Sequence, residues 1–141
     1  MNVNELRIGN LVKYHGIEWV VHSIRSSAPD KSERFNNVAT IDIVGNDGII
    51  TARLDEVDPL SINMRRLSSL GLVEKYPLGE DFTVEEYTYR TDIKGNLEIE
   101  VNLSDSTFTL QNLIGISLIE YSGVHTLQNI YFALTGEELT I

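Results

Sequence analysis

The sequence predicts an α+β protein that is rich in short antiparallel strands, and three observations lead to this prediction. Residues 38–44 and 97–103 alternate apolar and polar side chains with the period of two that a half-buried strand requires. Gly45-Asn46-Asp47-Gly48 is typical of a hairpin turn, because these residue types tolerate positive φ. Apolar residues at helical spacing that end at a glycine predict two helices, at residues 61–71 and 124–135.

The first 60 residues are expected to fold as an SH3-like small β-barrel, because short strands alternate there with tight turns. Strands are predicted at residues 11–14, 18–24, 38–44 and 49–54. His15-Gly16 is the first predicted turn, and the polar residues 26–37 are predicted to form an exposed loop. In the second strand, Trp19, Val21 and Ser23 are expected to share one face.

The second part is expected to contain a linking helix and then an antiparallel sheet that carries a C-terminal helix. A change of composition near residues 59–62 predicts two lobes, 1–60 and 61–141, which either stand apart or share one core. Ser61 or Asn63 can cap the linking helix. The elements predicted after it are strands at 82–90, 97–103, 107–110 and 114–121, the helix at 124–135, and an edge strand in the tail at 137–141.

The composition excludes several classes of site. The chain has 141 residues, of which 42% are hydrophobic and 23% charged, so it can bury a sizeable core without a metal or disulfide. It contains no cysteine, which excludes disulfides, thiolate zinc sites, iron–sulfur clusters and cysteine nucleophiles. The first ten residues do not resemble a signal peptide, and the longest apolar stretch, 113–119, is too short to span a bilayer. We therefore expect a cytoplasmic protein.

The net charge of −10 bears on the choice of partner. Residues 1–62 contain six basic and nine acidic residues, and residues 63–141 contain five basic and twelve acidic residues. Affinity for nucleic acid depends largely on phosphate neutralisation by lysine and arginine, so this acidity argues against a nucleic-acid partner. It favours a cationic partner.

No catalytic or metal-binding pattern is present in the sequence. The three histidines, His15, His22 and His125, lack the spacing of a helical metal motif. Glu98 and Glu100 share one face of a predicted strand, and they are expected to be solvated rather than arranged as an acid–base pair. The chain is thus predicted to be a non-enzyme that carries no cofactor.

The last predicted helix has an apolar arc that is wider than one stripe. Val124, Leu127, Tyr131 and Leu134 follow helical spacing, whereas Ile130 and Phe132 fall outside that stripe. Two interpretations remain: a central core helix, or an interface helix. The residues of the candidate interface are His125, Gln128, Asn129, Ile130 and Phe132, with the first three as its polar edge.

The segment from Val124 to Leu139, which reads VHTLQNIYFALTGEEL, also carries a family resemblance. It resembles the C-terminal signature of a group of short uncharacterised proteins found in bacteriophages and mobile elements of gut Bacteroidetes. Residues 5–10 and the Leu60-Ser61 step resemble the same group. The resemblance implies a phage or prophage context in the cytoplasm of a bacterial host, and it transfers no functional residue.

These observations favour a non-enzymatic module that binds another protein, and self-association of the chain stays open. The alternative from another class is nucleic-acid binding by the small barrel, with Lys13, Tyr14, Trp19 and Arg25 supplying charge and stacking. A further alternative is an acidic DNA mimic that inhibits a basic protein, which requires carboxylates arrayed in rows.

Overall fold

The molecule is described by a computed structural model over residues 3–25, 39–74, 87–111 and 120–140. The chain divides into two compact units, Met1–Leu60 and Ser61–Ile141, called unit 1 and unit 2. Within the described residues, each unit contains a five-stranded antiparallel sheet, and unit 2 adds helices on either side of its strands in the sequence. The predicted α+β class is confirmed, as are the antiparallel sheets and the C-terminal helix.

Unit 1 is a meander whose last strand returns to the first. Its strands are β1 (Leu11–Tyr14), β2 (Ile17–Arg25), β3 (Thr40–Gly45), β4 (Gly48–Arg53) and β5 (Val57–Pro59). Short 3₁₀ turns lie at Val3–Glu5 and Leu54–Glu56. The strand order is β4-β3-β2-β1-β5.

The closed SH3-like barrel that the sequence predicts is not shown. In the described part of the chain, β4 pairs with β3 and β5 pairs with β1, and the two edge strands do not pair with each other. The last strand has only three residues and ends in Pro59, which has no backbone N–H to donate to another strand. The sheet is therefore open.

Both predicted turns of unit 1 are confirmed. His15 and Gly16 have φ values of 50° and 80°, and they join Tyr14 to its cross-strand neighbour Ile17 as a two-residue type I′ turn. The second hairpin joins β3 to β4, with Gly45 paired to Gly48, which takes a φ of 110°. The predicted loop at 26–37 lies outside the described residues.

A β-bulge in β2 determines which side chains of this strand face the core. The register pairs Val21 with Ile43 and then Ser23 with Asp42, so His22 is the additional residue. The extra residue reverses the alternation, and Ser23 lies on the opposite face from Val21. The expectation that Trp19, Val21 and Ser23 share one face is wrong for Ser23.

The apolar face of unit 1 forms a core on the inner side of the sheet. Its buried members include Val12, Val21, Ile41 and Ile43, together with Leu6 from the segment before β1. Tyr14, Trp19 and Ile24 are half-buried and pack against this cluster. The inner face of the sheet is thus apolar, and the outer face carries polar residues such as Asp42 together with the apolar row Leu11, Val20 and Val44.

Unit 2 follows the predicted order of helix, strands and helix. Its elements are α1 (Met64–Ser69), β6 (Leu72–Glu74), β7 (Tyr87–Asp92), β8 (Glu98–Asn102), β9 (Thr107–Leu110), β10 (Tyr121–Ser122) and α2 (Val124–Thr135). The sheet order is β10-β9-β8-β7-β6. Asn63 caps α1 by accepting a hydrogen bond of 2.9 Å from the backbone N–H of Arg66. Residues 82–86 and 114–119 of the predicted strands lie outside the described residues.

The alternation predicted for β8 is present in the structure. Ile99 and Val101 are buried, whereas Glu98 and Glu100 are half-buried on the other face. The long helix α2 has the predicted bounds and ends at Gly136, which is in the left-handed conformation at φ 72°. None of the described helices has the length and apolar character needed to cross a membrane.

A buried hydrogen bond joins α2 to the β7–β8 hairpin. The hydroxyl of Tyr131 donates to Oδ2 of Asp92 at 3.0 Å, and the backbone N–H of Leu97 donates to Oδ1 of the same carboxylate at 3.1 Å. Burial, and then the bond to Asp92, raises the pKa of Tyr131. An exposed ion pair of 2.6 Å joins Lys94 in the hairpin turn to Glu137 after α2. The hairpin therefore contacts the C-terminal half of the helix and the residues after it at two points.

The tail after α2 folds back toward the helix. The side-chain amide of Gln128 donates to the carbonyl of Leu139 at 2.9 Å, and Leu139 is itself buried. Residues 137–140 do not form a strand, so the predicted edge strand is wrong over the described part of the tail. The tail thus contacts α2 through Gln128 and the β7–β8 turn through Lys94.

We predict that Tyr131→Phe lowers the free energy of unfolding by about 1.5–3 kcal/mol, because it leaves a buried carboxylate with one donor fewer. Tyr121→Phe is the matched control. The Tyr121 ring stacks on Phe108 at 5.5 Å, and its hydroxyl has no hydrogen bond in the described residues. We expect the control to change stability by less than about 0.5 kcal/mol. Urea unfolding measures both variants, and equal effects would show that the Tyr131–Asp92 bond does not anchor α2.

Candidate functional site

An open cleft lies at one end of the sheet of unit 1 and encloses about 360 Å³. Two hairpins provide its walls, the β1–β2 hairpin on one side and the β3–β4 hairpin on the other. The residues that line it are Leu11, Ile17, Glu18, Trp19, Val20, Val44, Gly45, Asn46 and Asp47. We call this group the Trp19 cleft.

The Trp19 cleft exists because β2 extends further than β3 at this end of the sheet. Pairing between these strands ends at Val20 and Val44, and β3 then turns away at Gly45. The first three residues of β2, Ile17 to Trp19, pair with β1 in the described register. The difference in strand length leaves a step in the sheet, and the cleft occupies that step.

Trp19 and Gly45 are in close contact at the wall of the cleft. A Cβ atom on Gly45 would lie 2.7 Å from Cε3 and 2.8 Å from Cζ3 of the indole ring. Any side chain at this position must therefore displace the indole ring. On its other side the indole meets Tyr14 in an edge-to-face arrangement, with ring centroids 6.3 Å apart.

The indole N–H of Trp19 is buried and has no hydrogen-bond partner among the described residues. In an indole ring this group lies on the opposite edge from Cε3, the atom that faces Gly45. An unpaired buried donor costs about 1–3 kcal/mol, a cost that a phenylalanine at this position would avoid. A residue kept in spite of such a cost is more typical of a functional surface than of an optimised core.

The floor and the rim of the cleft differ in polarity. Leu11 is buried, and Val20 and Val44 are half-buried. Their direct cross-strand pairing places the three side chains side by side on the outer face, and we call this apolar part of the lining the floor. Glu18 and Asp47 are exposed at the rim and are the charged residues of the lining. The volume is at the lower end for ligand pockets, which suits one inserted side chain or a short segment better than a large cofactor.

The most buried carboxylate of unit 1 in the described residues, Asp42, is used for structure. It accepts hydrogen bonds from the hydroxyls of Thr51 at 2.6 Å and Ser23 at 2.7 Å, and from the guanidinium of Arg25 at 3.0 Å. The bond from Thr51 is the largest cause that lowers the pKa of Asp42, and the bond from Ser23 follows. A carboxylate in this state is a poor proton acceptor near neutral pH, because efficient acid–base groups titrate near the working pH.

The four residues predicted to contact nucleic acid are not brought together. Tyr14 and Trp19 pack against the inner core, whereas Lys13 and Arg25 lie on the outer face. Lys13 is directly across from Glu18 on one side and Asp58 on the other. Both cations therefore lie beside carboxylates and away from the rings.

The five residues of the predicted α2 interface are also divided. His125 and Gln128, expected at an exposed polar edge, are 5% and 2% exposed and lie in the interior. Asn129 and Ile130 are half-buried, and Phe132 is exposed to 36%. The core-helix interpretation thus applies to the side of α2 that carries His125 and Gln128.

Unit 2 contains a second group of buried polar residues, on the inner side of β7. The guanidinium of Arg90 is 3.6 Å from the carboxylate of Glu74, and its Nε has no hydrogen-bond partner in the part of the chain that the structure describes. Burial lowers the pKa of Arg90. Two positions further along β7, the carboxylate of Asp92 accepts the hydrogen bonds from Tyr131 and Leu97. In the described ranges no group of three histidine, cysteine or carboxylate side chains could hold a metal ion.

Reasoning from the sequence identified one member of the cleft, Trp19, and assigned it to nucleic-acid stacking. The other lining residues lie on separate strands and turns, and the step between β2 and β3 depends on their register. The sequence offered one local signal, a glycine at position 45, directly before the hairpin turn. In the structure, the absence of a side chain there makes room for the ring of Trp19.

Comparison with known proteins adds no assignment. No protein family matches the chain, and no curated protein or solved structure is detectably similar to it.

We predict that Gly45→Ala destabilises the protein by about 1–3 kcal/mol and shifts the emission of Trp19, the single tryptophan of the chain. The added methyl group must push the indole out of its place. Gly16→Ala is the control, since its φ of 80° is strained for alanine but nothing lies within 4 Å of the new Cβ. It should cost about 1 kcal/mol and leave the emission unchanged. An unaltered emission spectrum of Gly45→Ala would contradict the predicted contact.

We also predict that Asp42→Asn destabilises the protein at pH 7 by about 1–3 kcal/mol and much less in acid. The folded-state pKa of Asp42 lies below its ordinary value of 3.8. Its contribution is therefore complete above that pH and is lost as the pH falls through the folded-state value. Urea unfolding from pH 7 to pH 2 measures this, with the exposed Asp58→Asn as control. A constant difference between wild type and Asp42→Asn across that range would refute the prediction.

Proposed function

We propose that this protein is a non-enzymatic module that binds another protein through the Trp19 cleft. The single observation that carries the proposal is a cleft at one end of the sheet whose lining combines an apolar floor, an exposed acidic rim and Trp19. Aromatic residues beside apolar surface are typical of protein interfaces, where a few such residues supply most of the binding energy. Loops and turns held by a rigid sheet are also the usual place for binding residues.

The chemistry of the cleft supports binding rather than turnover. Its ionisable lining residues are two exposed carboxylates, Glu18 and Asp47, in similar solvated surroundings. Acid–base catalysis by a pair of carboxylates requires that their environments separate the two pKa values. The more buried Asp42 is already held by three donors on the outer face.

We infer in addition that unit 1 is an SH3-like small barrel in its topology. Support comes from the order β4-β3-β2-β1-β5, in which a four-stranded meander is followed by a 3₁₀ turn and a short strand that returns to β1. We also place the protein in the cytoplasm of a bacterial host, in a phage or mobile-element setting. That setting rests on the resemblance of residues 124–139.

Nucleic-acid binding by the barrel has less support. It needs rings and cations on one surface, and here Lys13 and Arg25 lie on the opposite face from Tyr14 and Trp19. The net charge of −10 adds long-range repulsion of phosphate.

Affinity capture from a host lysate tests the proposed function, using two matched variants. Ile17→Asp places a charge in the lining of the cleft, and Ile49→Asp places one on β4 outside it. The two isoleucines are exposed to 60% and 57%, so neither change disturbs a buried position. We expect the wild type and Ile49→Asp to capture the same partner protein and Ile17→Asp to lose it.

Two results would overturn the proposal. The first is capture of the same partner by both variants with equal yield, which would place the binding surface elsewhere. The second is a catalytic turnover, found with a broad substrate panel, that Ile17→Asp abolishes and Ile49→Asp preserves. Circular dichroism of each variant confirms that a loss reflects the cleft and not unfolding.

A further inference from the structure

We infer that the Trp19 cleft recognises a lysine or arginine side chain on an exposed segment of the partner protein. This inference rests on the proposed function and adds the chemistry of the occupant. It follows from the charge of the rim, the apolar character of the floor and the size of the cleft.

The rim of the cleft has an excess of negative charge. None of its nine lining residues is a lysine or arginine, and Glu18 and Asp47 are acidic. Lys13 lies across from Glu18 on the neighbouring strand, so Asp47 carries most of the excess. In the described residues, the Asp47 side chain makes no ion pair or hydrogen bond. The net charge of the whole chain, −10, adds to the negative potential at the cleft.

The floor matches the stem of a long basic side chain. Lysine and arginine carry three or four methylene groups that pack on apolar surface while the charged end stays at the water boundary. Leu11, Val20 and Val44 offer that apolar surface, and the carboxylates stand at the open side of the cleft. A volume of about 360 Å³ accommodates one such side chain with part of its neighbours.

Other occupants fit less well. A purely apolar segment would partly desolvate Asp47 and Glu18 and offer them no donor in return, which opposes binding. An acidic segment or a phosphate backbone would meet charge of its own sign. A basic side chain removes both costs, because it covers the floor and donates to the rim.

The test uses a set of short peptide libraries against the full 141-residue protein. Each library has one residue type at its central position and mixed residues elsewhere, so that the result does not depend on guessing a sequence. Binding is followed by the emission of Trp19, which reports on the cleft itself. We expect the libraries with central lysine or arginine to bind about tenfold more tightly than those with central norleucine or glutamate.

Two variants that each neutralise one carboxylate test whether the attraction of the basic side chain comes from the rim of the cleft. Asp47→Asn should weaken binding of the lysine and arginine libraries several-fold and flatten its dependence on NaCl, because screening acts on this attraction. Asp58→Asn removes the same charge from an exposed position on β5 that does not line the cleft, and it should bind as the wild type does.

The peptide experiment tests the basic occupant, and the capture experiment tests the proposed function, so the two can fail independently. Equal or tighter binding of the norleucine or glutamate libraries, or equal effects of Asp47→Asn and Asp58→Asn, would overturn the basic occupant. So would the absence of binding by every library. In all three cases the capture experiment with Ile17→Asp still decides whether the cleft binds a protein. Loss of the proposed function would instead appear as equal capture by Ile17→Asp and Ile49→Asp.

Discussion

One additional residue in β2 is the constraint on which the organisation of unit 1 depends. Because His22 is a bulge, Trp19, Val21 and Ile24 all reach the inner core, although simple alternation would place Ile24 outside. The same shift moves Ser23 to the outer face, where it meets Asp42. The strand is bonded to both β1 and β3, so its register is transmitted to most of the sheet.

The buried carboxylates and the exposed ones have different roles in this molecule. Asp42 and Asp92 each accept hydrogen bonds from more than one segment of the chain. Their carboxylates therefore stabilise the packing of strands and of a helix. Asp47 and Glu18 lie at the rim of a cleft, where a charge can attract a partner at little cost to folding. This division is the physical reason for favouring binding over catalysis.

The Trp19 cleft is placed where the sheet is irregular. Strand β2 extends beyond the end of β3, which leaves a step in the sheet. The Trp19 ring lies at this step, in contact with Gly45. The ring packs against the buried cluster of unit 1 as well as against Gly45, and contacts of this kind reduce the ordering that binding requires. In unit 2, by contrast, the β7–β8 hairpin stabilises the packing of α2. It contacts Tyr131 of the helix and Glu137 after it.

The local elements of this protein follow from short stretches of its sequence. Turns such as His15-Gly16, the cap at Asn63 and the bounds of α2 follow from residue types within a few positions, and they were predictable for that reason. Long-range pairing and packing set four other features: the bulge at His22, the burial of His125 and Gln128, the unpaired edges of β4 and β5, and the step that forms the cleft. Each of these depends on pairing or packing between residues far apart in the chain, and periodicity along one segment carries no information about its partner.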